Sequence, residues 1–557
     1  MTSASTTACH FGGRTDAVSL HKLGASFVLI AVLLAPSIWM LSVIPPLWRD
    51  VDAYVQLTRP PGFETILHYG PLYCFVARIP LYLGYGIDCF GAGGPLPTLR
   101  FFLHPILTDS GVYALVISQH IGLFCSTFYL ITLVSRLFWV RLTLAIAWAA
   151  NPLFYTFAHC VGTETLSVIV LLLIAATGLR IIRHSRKVPG KQWFLFAILL
   201  WFCILTRHIN AALAGFMPAA FILLAASHIS VAPFVQSPTL RRWRCLKAKQ
   251  ALQKATVAVA VGIGCIGLAN ASLRVMCYAA RIPYYSFAGQ TFLGRLKFLA
   301  ALAPEKRNEF LDQVTKHTAS ADVRKMISLV REAVSTEPSK LDVQDFRRKA
   351  KALLLTPQTD PHDEKLYLLL NRMALAFLWP PREILLSAVA TDFKKSQQIT
   401  IPDVVRSLFV NTRFYFSHRD VVPQCASLIT FRDKNADQIY AIFKSHSYFR
   451  HPKKLTYHAF LLIWLVLLAL FLVIAKIYKR EAAAVASYAV GLTAVGLFMM
   501  LANCLFAVFQ PPRYTLPMWE LAIMSVTILF GAITEYLVSP LPTVSRSRPE
   551  ETANTPH

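Results

Sequence analysis

Charged residues are scarce in this chain of 557 residues: they make up 15% of it, whereas soluble globular proteins carry about 25%. Acidic residues are scarcer than basic ones, with 29 Asp and Glu against 55 Lys and Arg. Of all residues, 55% are hydrophobic. This composition excludes a disordered, collagenous or ordinary cytosolic protein. It predicts a polytopic membrane protein.

Cysteine is also sparse, with eleven residues in the chain and no C-x-x-C pair. Such a count excludes a disulfide scaffold and offers no obvious metal or redox site. Internal repeats and low-complexity stretches are lacking as well, apart from a short polar tail after residue 540.

Long apolar runs are abundant, and a run of about 20 residues suffices to cross the roughly 30 Å of membrane hydrocarbon. Nine runs of this kind are present, near 23–44, 112–136, 139–158, 163–182, 209–229, 255–275, 455–476, 483–508 and 516–537. A shorter run at 192–206 makes ten. We therefore predict an all-α bundle of about ten transmembrane helices, with the first helix retained as an anchor because no small-residue cleavage site follows it.

The basic residues alternate along the chain in a way that predicts the orientation of the bundle. They cluster in every second short connection, and Lys and Arg accumulate on the cytoplasmic side of membranes. The clusters contain Arg136, Arg141, Arg180, Arg183, Arg186, Lys187, Lys191, Arg241, Arg242, Arg244, Lys247, Lys249, Lys254, Lys476, Lys479 and Arg480. Both termini are then expected in the cytoplasm, and a bacterial inner membrane is favoured. Much of the net charge of +26 is explained by topology, so nucleic-acid binding is not expected.

Five regions follow from this pattern. We expect a cytoplasmic N-terminal tail, a membrane module with a first outer loop at 45–111, a mostly helical extracytoplasmic domain, a second membrane module and a cytoplasmic tail. Their boundaries are 1–22, 23–275, 276–454, 455–540 and 541–557. The third region carries 28 of the basic residues against 17 acids, and it is too long to be a mere connector.

Seven acidic residues lie neither in that domain nor on the predicted inner side of the membrane. All seven fall at or near the predicted outer boundary. They are Asp50, Asp52, Glu64, Asp88, Asp109, Glu164 and Glu520. Acids near hydrocarbon persist mainly where they pair, line a cavity or act chemically. This clustering predicts a functional cavity that opens to the outer side.

Asp50 and Asp52 immediately follow the first span, where a carboxylate suits a base acting on a lipid-held substrate. An interfacial cap or an ion pair with Arg49 is the alternative. Glu164 begins the fourth span, so it is a candidate substrate-binding residue, with favourable placement at the helix N-terminus as the alternative.

Arg207, His208, Arg513 and Tyr514 lie at outer connections, against the prevailing charge bias. A guanidinium at the membrane surface suits bidentate binding of phosphate. Contact with lipid headgroups, or pairing of Arg513 with Glu520, is the alternative. Further along the first outer loop, His68 and Tyr69 open an apolar stretch, broken by polar and helix-breaking residues, that resembles an interfacial amphipathic helix.

Three short motifs in this order resemble the GT-C superfamily of integral-membrane glycosyltransferases, in its protein O-mannosyltransferase and lipid A aminoarabinose-transferase branch. They are Arg49-Asp50-Val51-Asp52-Ala53-Tyr54, His68-Tyr69-Gly70-Pro71-Leu72-Tyr73 and Gln510-Pro511-Pro512-Arg513-Tyr514. Gly70 stands where the family has the first proline of its H-x-P-P-L-Y stretch, and the 276–454 segment has no counterpart in the family that can be aligned.

The resemblance implies an inverting transfer of a sugar from a polyprenyl-phosphate carrier to a glycan, lipid or protein acceptor in the cell envelope. Asp50 or Asp52 would then be the catalytic general base. His68, Tyr69, Glu164, Arg207, His208, Arg513 and Tyr514 would bind substrate. No cofactor is expected, although Asp52 with Glu164 could hold a divalent metal as in metal-dependent relatives. A transporter or lipid-carrier flippase, and a non-catalytic envelope-assembly component, are the alternative functions.

Overall fold

The computed structural model describes residues 13–48, 56–62, 64–68, 70–184, 188–231, 237–336, 343–354, 363–378, 383–408, 436–450, 455–477, 482–506 and 515–538. Over these residues the chain is an all-α bundle, as its composition predicts. Eight of the described helices are long and apolar enough to cross a membrane, and two shorter apolar helices, Phe138–Ala149 and Gly190–Thr206, complete the ten predicted runs. The protein is a multi-pass membrane protein.

The first membrane module begins with α1 (Gly13–Val43) and a two-residue strand, β1 (Leu47–Trp48). It continues through a π-helical turn (Glu64–His68), α2 (Pro71–Gly91), a 3₁₀ turn (Leu99–Phe102), α3 (Asp109–Val134), α4 (Phe138–Ala149), α5 (Pro152–Ala158), β2 (Cys160–Val161), α6 (Thr163–Arg183) and α7 (Gly190–Thr206). A 3₁₀ segment (His208–Gly215) leads into α8 (Phe216–Val231), and α9 (Pro238–Ala279) ends the module.

The described secondary-structure elements of the 276–454 segment are helices. It contains α10 (Ala288–Arg295), a 3₁₀ segment (Leu296–Ala301), α11 (Pro304–Lys316), α12 (Ala321–Thr336), α13 (Val343–Leu354), α14 (Glu364–Leu378), α15 (Glu383–Ser396), α16 (401–408), α17 (Ala436–Ser445) and α18 (Ser447–Arg450). The last module consists of α19 (Tyr457–Ile477), α20 (Ala483–Phe506) and α21 (Leu516–Val538).

The run at 139–158 was predicted as one span, but the structure divides it into α4 and α5. Asn151 caps α5 by accepting a hydrogen bond from the backbone N–H of Leu153 at 3.0 Å. Pro152 occupies the first helical position, where its fixed φ and missing N–H suit a helix start but not a helix interior. A local Asn-Pro start signal therefore interrupts an otherwise continuous apolar run.

Hydrogen bonds between helices hold the bundle together inside its apolar core. Trp148 of α4 donates to Thr527 of α21, and Trp464 of α19 donates to Ser525. The hydroxyl of Tyr488 in α20 donates to the carbonyl of Ala175 in α6 at 2.5 Å. Because hydrocarbon offers no hydrogen-bond partners, each of these polar groups is satisfied within the protein.

One end of the bundle gathers basic side chains from the clusters that predicted the orientation. Arg183 donates to the carbonyls of Leu133 and Val134, and Lys254 donates to the carbonyl of His184 at 2.5 Å. We call this the basic end. The start of α6, the end of α7 and the start of α21 lie at the opposite end, which we call the site end.

A buried arginine fastens the first outer loop at the site end. The guanidinium of Arg78 in α2 donates to the carbonyl of Phe102 and, at 3.1 and 2.6 Å, to the carbonyls of Gln56 and Arg59. Burial lowers the pKa of Arg78 from its ordinary value, but an arginine side chain stays protonated in proteins. Three backbone carbonyls therefore stabilise its charge. They belong to residues that precede and follow α2 in the chain, so both parts of the loop are held to this helix.

Candidate functional site

A short parallel ladder brings two distant segments together at the site end. Leu47 pairs with Cys160, and Trp48 pairs with Val161. Glu164 follows Val161 by three residues, and Asp50 follows Trp48 by two. The ladder therefore places Trp48, two residues before Asp50, beside Val161, three residues before Glu164.

Gly70 makes a second close junction, between the start of α2 and the end of α7. Its φ is +93°, and a Cβ built on it would lie 2.6 Å from the carbonyl oxygen of Thr206. Proline is confined to φ near about −65° and could not adopt this backbone. Glycine at this position permits the close approach of Gly70 to the backbone of Leu205 and Thr206.

Replacing Gly70 with Ala is expected to lower the free energy of unfolding by about 2 to 4 kcal/mol, because it adds left-handed strain and overlap with backbone atoms. Thermal unfolding of the purified protein in detergent measures this change. Gly86→Ala is the matched control within α2, since its Cβ would meet only Pro97, at 3.7 Å. Equal stability of the two variants would contradict the tight junction.

Three charged side chains meet at the site end, each from a different part of the chain. Glu164 in the first turn of α6 and Glu520 in α21 are each 1% exposed. Arg207 lies at the end of α7. Both Arg207 and Glu164 interact electrostatically with Glu520. Within the described residues, the Oε1 atom of Glu520 has no hydrogen-bond partner. We call these three residues the charged cluster.

Asn210 forms hydrogen bonds with two of the elements that carry the charged cluster. Its side-chain amide donates to the hydroxyl of Ser167 at 3.1 Å and to the carbonyl of Cys203 at 2.9 Å. Ser167 lies three residues after Glu164 on α6, and residues three apart share a helix face. The face of α6 that carries Glu164 is thus fastened to the segment that carries Arg207.

His208 also has a defined contact. Its Nε2 lies 3.0 Å from the carbonyl oxygen of Leu67, so this nitrogen carries a proton and donates to the π-helical turn. The side chain therefore positions the backbone that leads into His68 and Tyr69.

A second polar network lies beside β1 and β2. The Nε2 of His159 lies 2.9 Å from the carbonyl oxygen of Ile44 and 3.1 Å from that of Pro45. The Nε2 of His120 lies 3.2 Å from Nδ1 of His159, and the Nδ1 of His120 lies 2.9 Å from Ser37 Oγ. Carbonyls only accept, so both rings carry their proton on Nε2, and Ser37 donates to His120.

This relay satisfies every ring nitrogen with both imidazoles neutral. Gln119 adds two hydrogen bonds, to the carbonyls of Ala158 and Cys160 at 3.0 and 3.1 Å. The network fixes the backbone on both sides of the ladder. Gln119, His120 and His159 were not predicted as site residues, although isolated polar residues within apolar runs are a signal for them.

The structure brings together some of the predicted site residues and leaves others outside the described part of the chain. Glu164, Arg207 and His208 converge at the site end, whereas Asp50, Asp52, Tyr69, Arg513, Tyr514 and the side chain of His68 lie outside the described residues. Glu520 joins the cluster; it was predicted among the acids at the outer boundary but not as a substrate-binding residue. Asp88 accepts a hydrogen bond from Ser110 at 2.7 Å.

No group of three or more His, Cys, Asp or Glu side chains suited to a metal ion occurs among the described residues. Of the two acids considered for a metal, only Glu164 falls within them. Comparison with protein-family models gives no match, and comparison with curated proteins gives none either.

Proposed function

We propose that the protein is an inverting glycosyltransferase that moves a sugar from a polyprenyl-phosphate carrier to an acceptor on the extracytoplasmic face of a membrane. The site end would be the extracytoplasmic end, and a bacterial inner membrane with both termini in the cytoplasm is the setting that the charge pattern favours. The acceptor belongs to the cell envelope and is a glycan, a lipid or a protein.

The convergence at the site end is the observation that carries this proposal. Glu164, Arg207 and Glu520 are separated by up to several hundred residues, yet they form one cluster in which both glutamates are buried. The β1–β2 ladder ends two residues before Asp50 and three residues before Glu164, which supports a role for Asp50 or Asp52 in the same site. Buried charges in a membrane bundle are costly, so a cluster of this kind favours a function over a structural role.

The proposed chemistry distributes three tasks over these residues. A carboxylate of Asp50 or Asp52 takes the proton of the acceptor hydroxyl as the new bond to the anomeric carbon forms. The bond from that carbon to the carrier phosphate breaks, and the phosphate leaves with its electron pair. Arg207, with Arg513 from the segment before α21, stabilises the negative charge that develops on the phosphate.

The two glutamates have a different task in this proposal. A guanidinium has five N–H donors in a fixed fork, so it can contact a carboxylate and a phosphate together. Glu164 and Glu520 hold Arg207 in the orientation that the phosphate needs. The charge of the leaving group is then stabilised by the protein itself, and a divalent metal held by Asp52 and Glu164 is the less favoured arrangement.

Deletion of the protein tests the proposal in cells. Mass spectrometry of the deletion strain is expected to show the loss of one glycosyl group from an envelope component and accumulation of a polyprenyl-phosphate-linked sugar. Complementation with the intact chain should restore the group. Unchanged envelope glycans would reject the proposal, and substrate flux in proteoliposomes without formation of a glycosidic bond would identify a transporter instead.

A further inference from the structure

A cavity of about 710 Å³ lies in the 276–454 segment, away from the charged cluster. Its walls come from α10, the following 3₁₀ segment, α11 and α15. Arg295, the last residue of α10, lines this cavity together with Asp392 of α15. Both α10 and α15 pack against α20, and Cys504 near the end of α20 interacts electrostatically with Asp392 and Arg295. The cavity therefore adjoins the site end of a membrane-spanning helix.

Arg295 is an unusual residue for the wall of a cavity, because it is 4% exposed. Its Nη1 forms an ion pair with Asp392, and its Cζ lies 5.7 Å from the ring centroid of Phe298. The Nε and Nη2 atoms have no hydrogen-bond partner among the residues that the structure describes. A buried guanidinium with two unsatisfied donors is costly, and such donors in native proteins usually have a function.

The remaining charges of the cavity favour an anion. Three exposed lysines, Lys297, Lys306 and Lys395, line it, and Glu383 is the one acid besides Asp392 among its described lining residues. Four cationic side chains thus face two acids, one of which is already paired with Arg295. The rest of the wall is largely apolar, which permits a ligand with a hydrocarbon part.

We propose that this cavity binds a phosphate monoester. The Nε and Nη2 atoms of Arg295 are suited to the oxygens of a phosphate, since guanidinium groups bind phosphate in a bidentate manner. The three lysines neutralise the second charge of the dianion. The ligand is either a phospholipid-type amphiphile that enters from the adjoining membrane surface or a soluble phosphate ester. This inference does not depend on the proposed transfer reaction.

Binding of defined probes to the full-length protein in phosphatidylcholine nanodiscs tests the proposal. Dihexanoyl phosphatidic acid and glycerol 3-phosphate represent the two sources of the same chemistry. Tighter binding of the first identifies a lipid ligand, and equal binding identifies a soluble one. Saturable binding of neither probe would overturn the proposal.

Variants connect the binding to the cavity. Lys306→Gln combined with Lys395→Gln removes two exposed charges without touching the core, and it should weaken binding by about tenfold. Arg295→Gln should weaken it by about tenfold or more. The matched control is Lys316→Gln with Lys325→Gln, which removes two exposed lysines of α11 and α12 outside the cavity. Equal affinity of the cavity variant and this control would overturn the proposal even if Arg295→Gln fails to fold.

Discussion

Replacing Arg207 with Gln is expected to lower the rate of sugar transfer by about 100- to 1000-fold, the usual effect of removing one group that stabilises charge in a transition state. The change removes the cation of the charged cluster and leaves Glu164 and Glu520 buried beside a neutral amide. Transfer from a polyprenyl-phosphate-linked sugar by the purified protein in nanodiscs measures the effect.

Two further variants separate catalysis from folding. Arg207→Lys keeps the charge but loses the planar fork of donors, so an intermediate rate is expected. Arg180→Gln removes an exposed arginine from the other end of α6 and should transfer sugar at the rate of the unaltered protein. A normal rate for Arg207→Gln would remove Arg207 from the proposed mechanism.

Of the variants Asp50→Asn and Asp52→Asn, the one that removes the base is expected to lower the rate of transfer by about 100- to 10,000-fold, as expected for the loss of a general base. Asn is nearly isosteric with Asp but cannot accept the proton of the acceptor hydroxyl. The same transfer assay identifies which of the two carboxylates is the base.

Binding and insertion provide the necessary controls for this prediction. Both variants should insert into the membrane and bind the carrier normally, because the base acts on the acceptor. Asp312→Asn changes an exposed acid of α11 in the 276–454 segment and should leave transfer unaltered. Normal transfer by both Asp50→Asn and Asp52→Asn would rule out the proposed base.

The sequence predicted the fold well because hydropathy and chain length together determine which segments can span a membrane. Eight of the ten predicted runs correspond to helices that are long and apolar enough to span. The boundaries were less predictable, because they depend on local signals. Asn151 and Pro152 break one run into two helices, and α9 extends through the basic residues before the 255–275 run, since Lys and Arg are good helix formers.

The candidate site was predictable only where charge revealed it. Glu164 and Arg207 stood out because ionisable groups are rare near hydrocarbon. The His120–His159 relay did not, since two neutral imidazoles that satisfy each other look like ordinary core residues in a sequence. The role of Gly70 was also hidden, because its φ of +93° and its contact with the carbonyl of Thr206 depend on the packing of α2 against α7.

The central claim is that the charged cluster holds the phosphate of a polyprenyl carrier. A cryo-electron microscopy structure of the full-length protein in nanodiscs with bound polyprenyl monophosphate tests this most directly. We expect the phosphate within hydrogen-bonding distance of the Arg207 guanidinium, with Glu164 and Glu520 flanking that guanidinium. A carrier phosphate bound elsewhere, with Arg207 making no contact to it, would contradict the account.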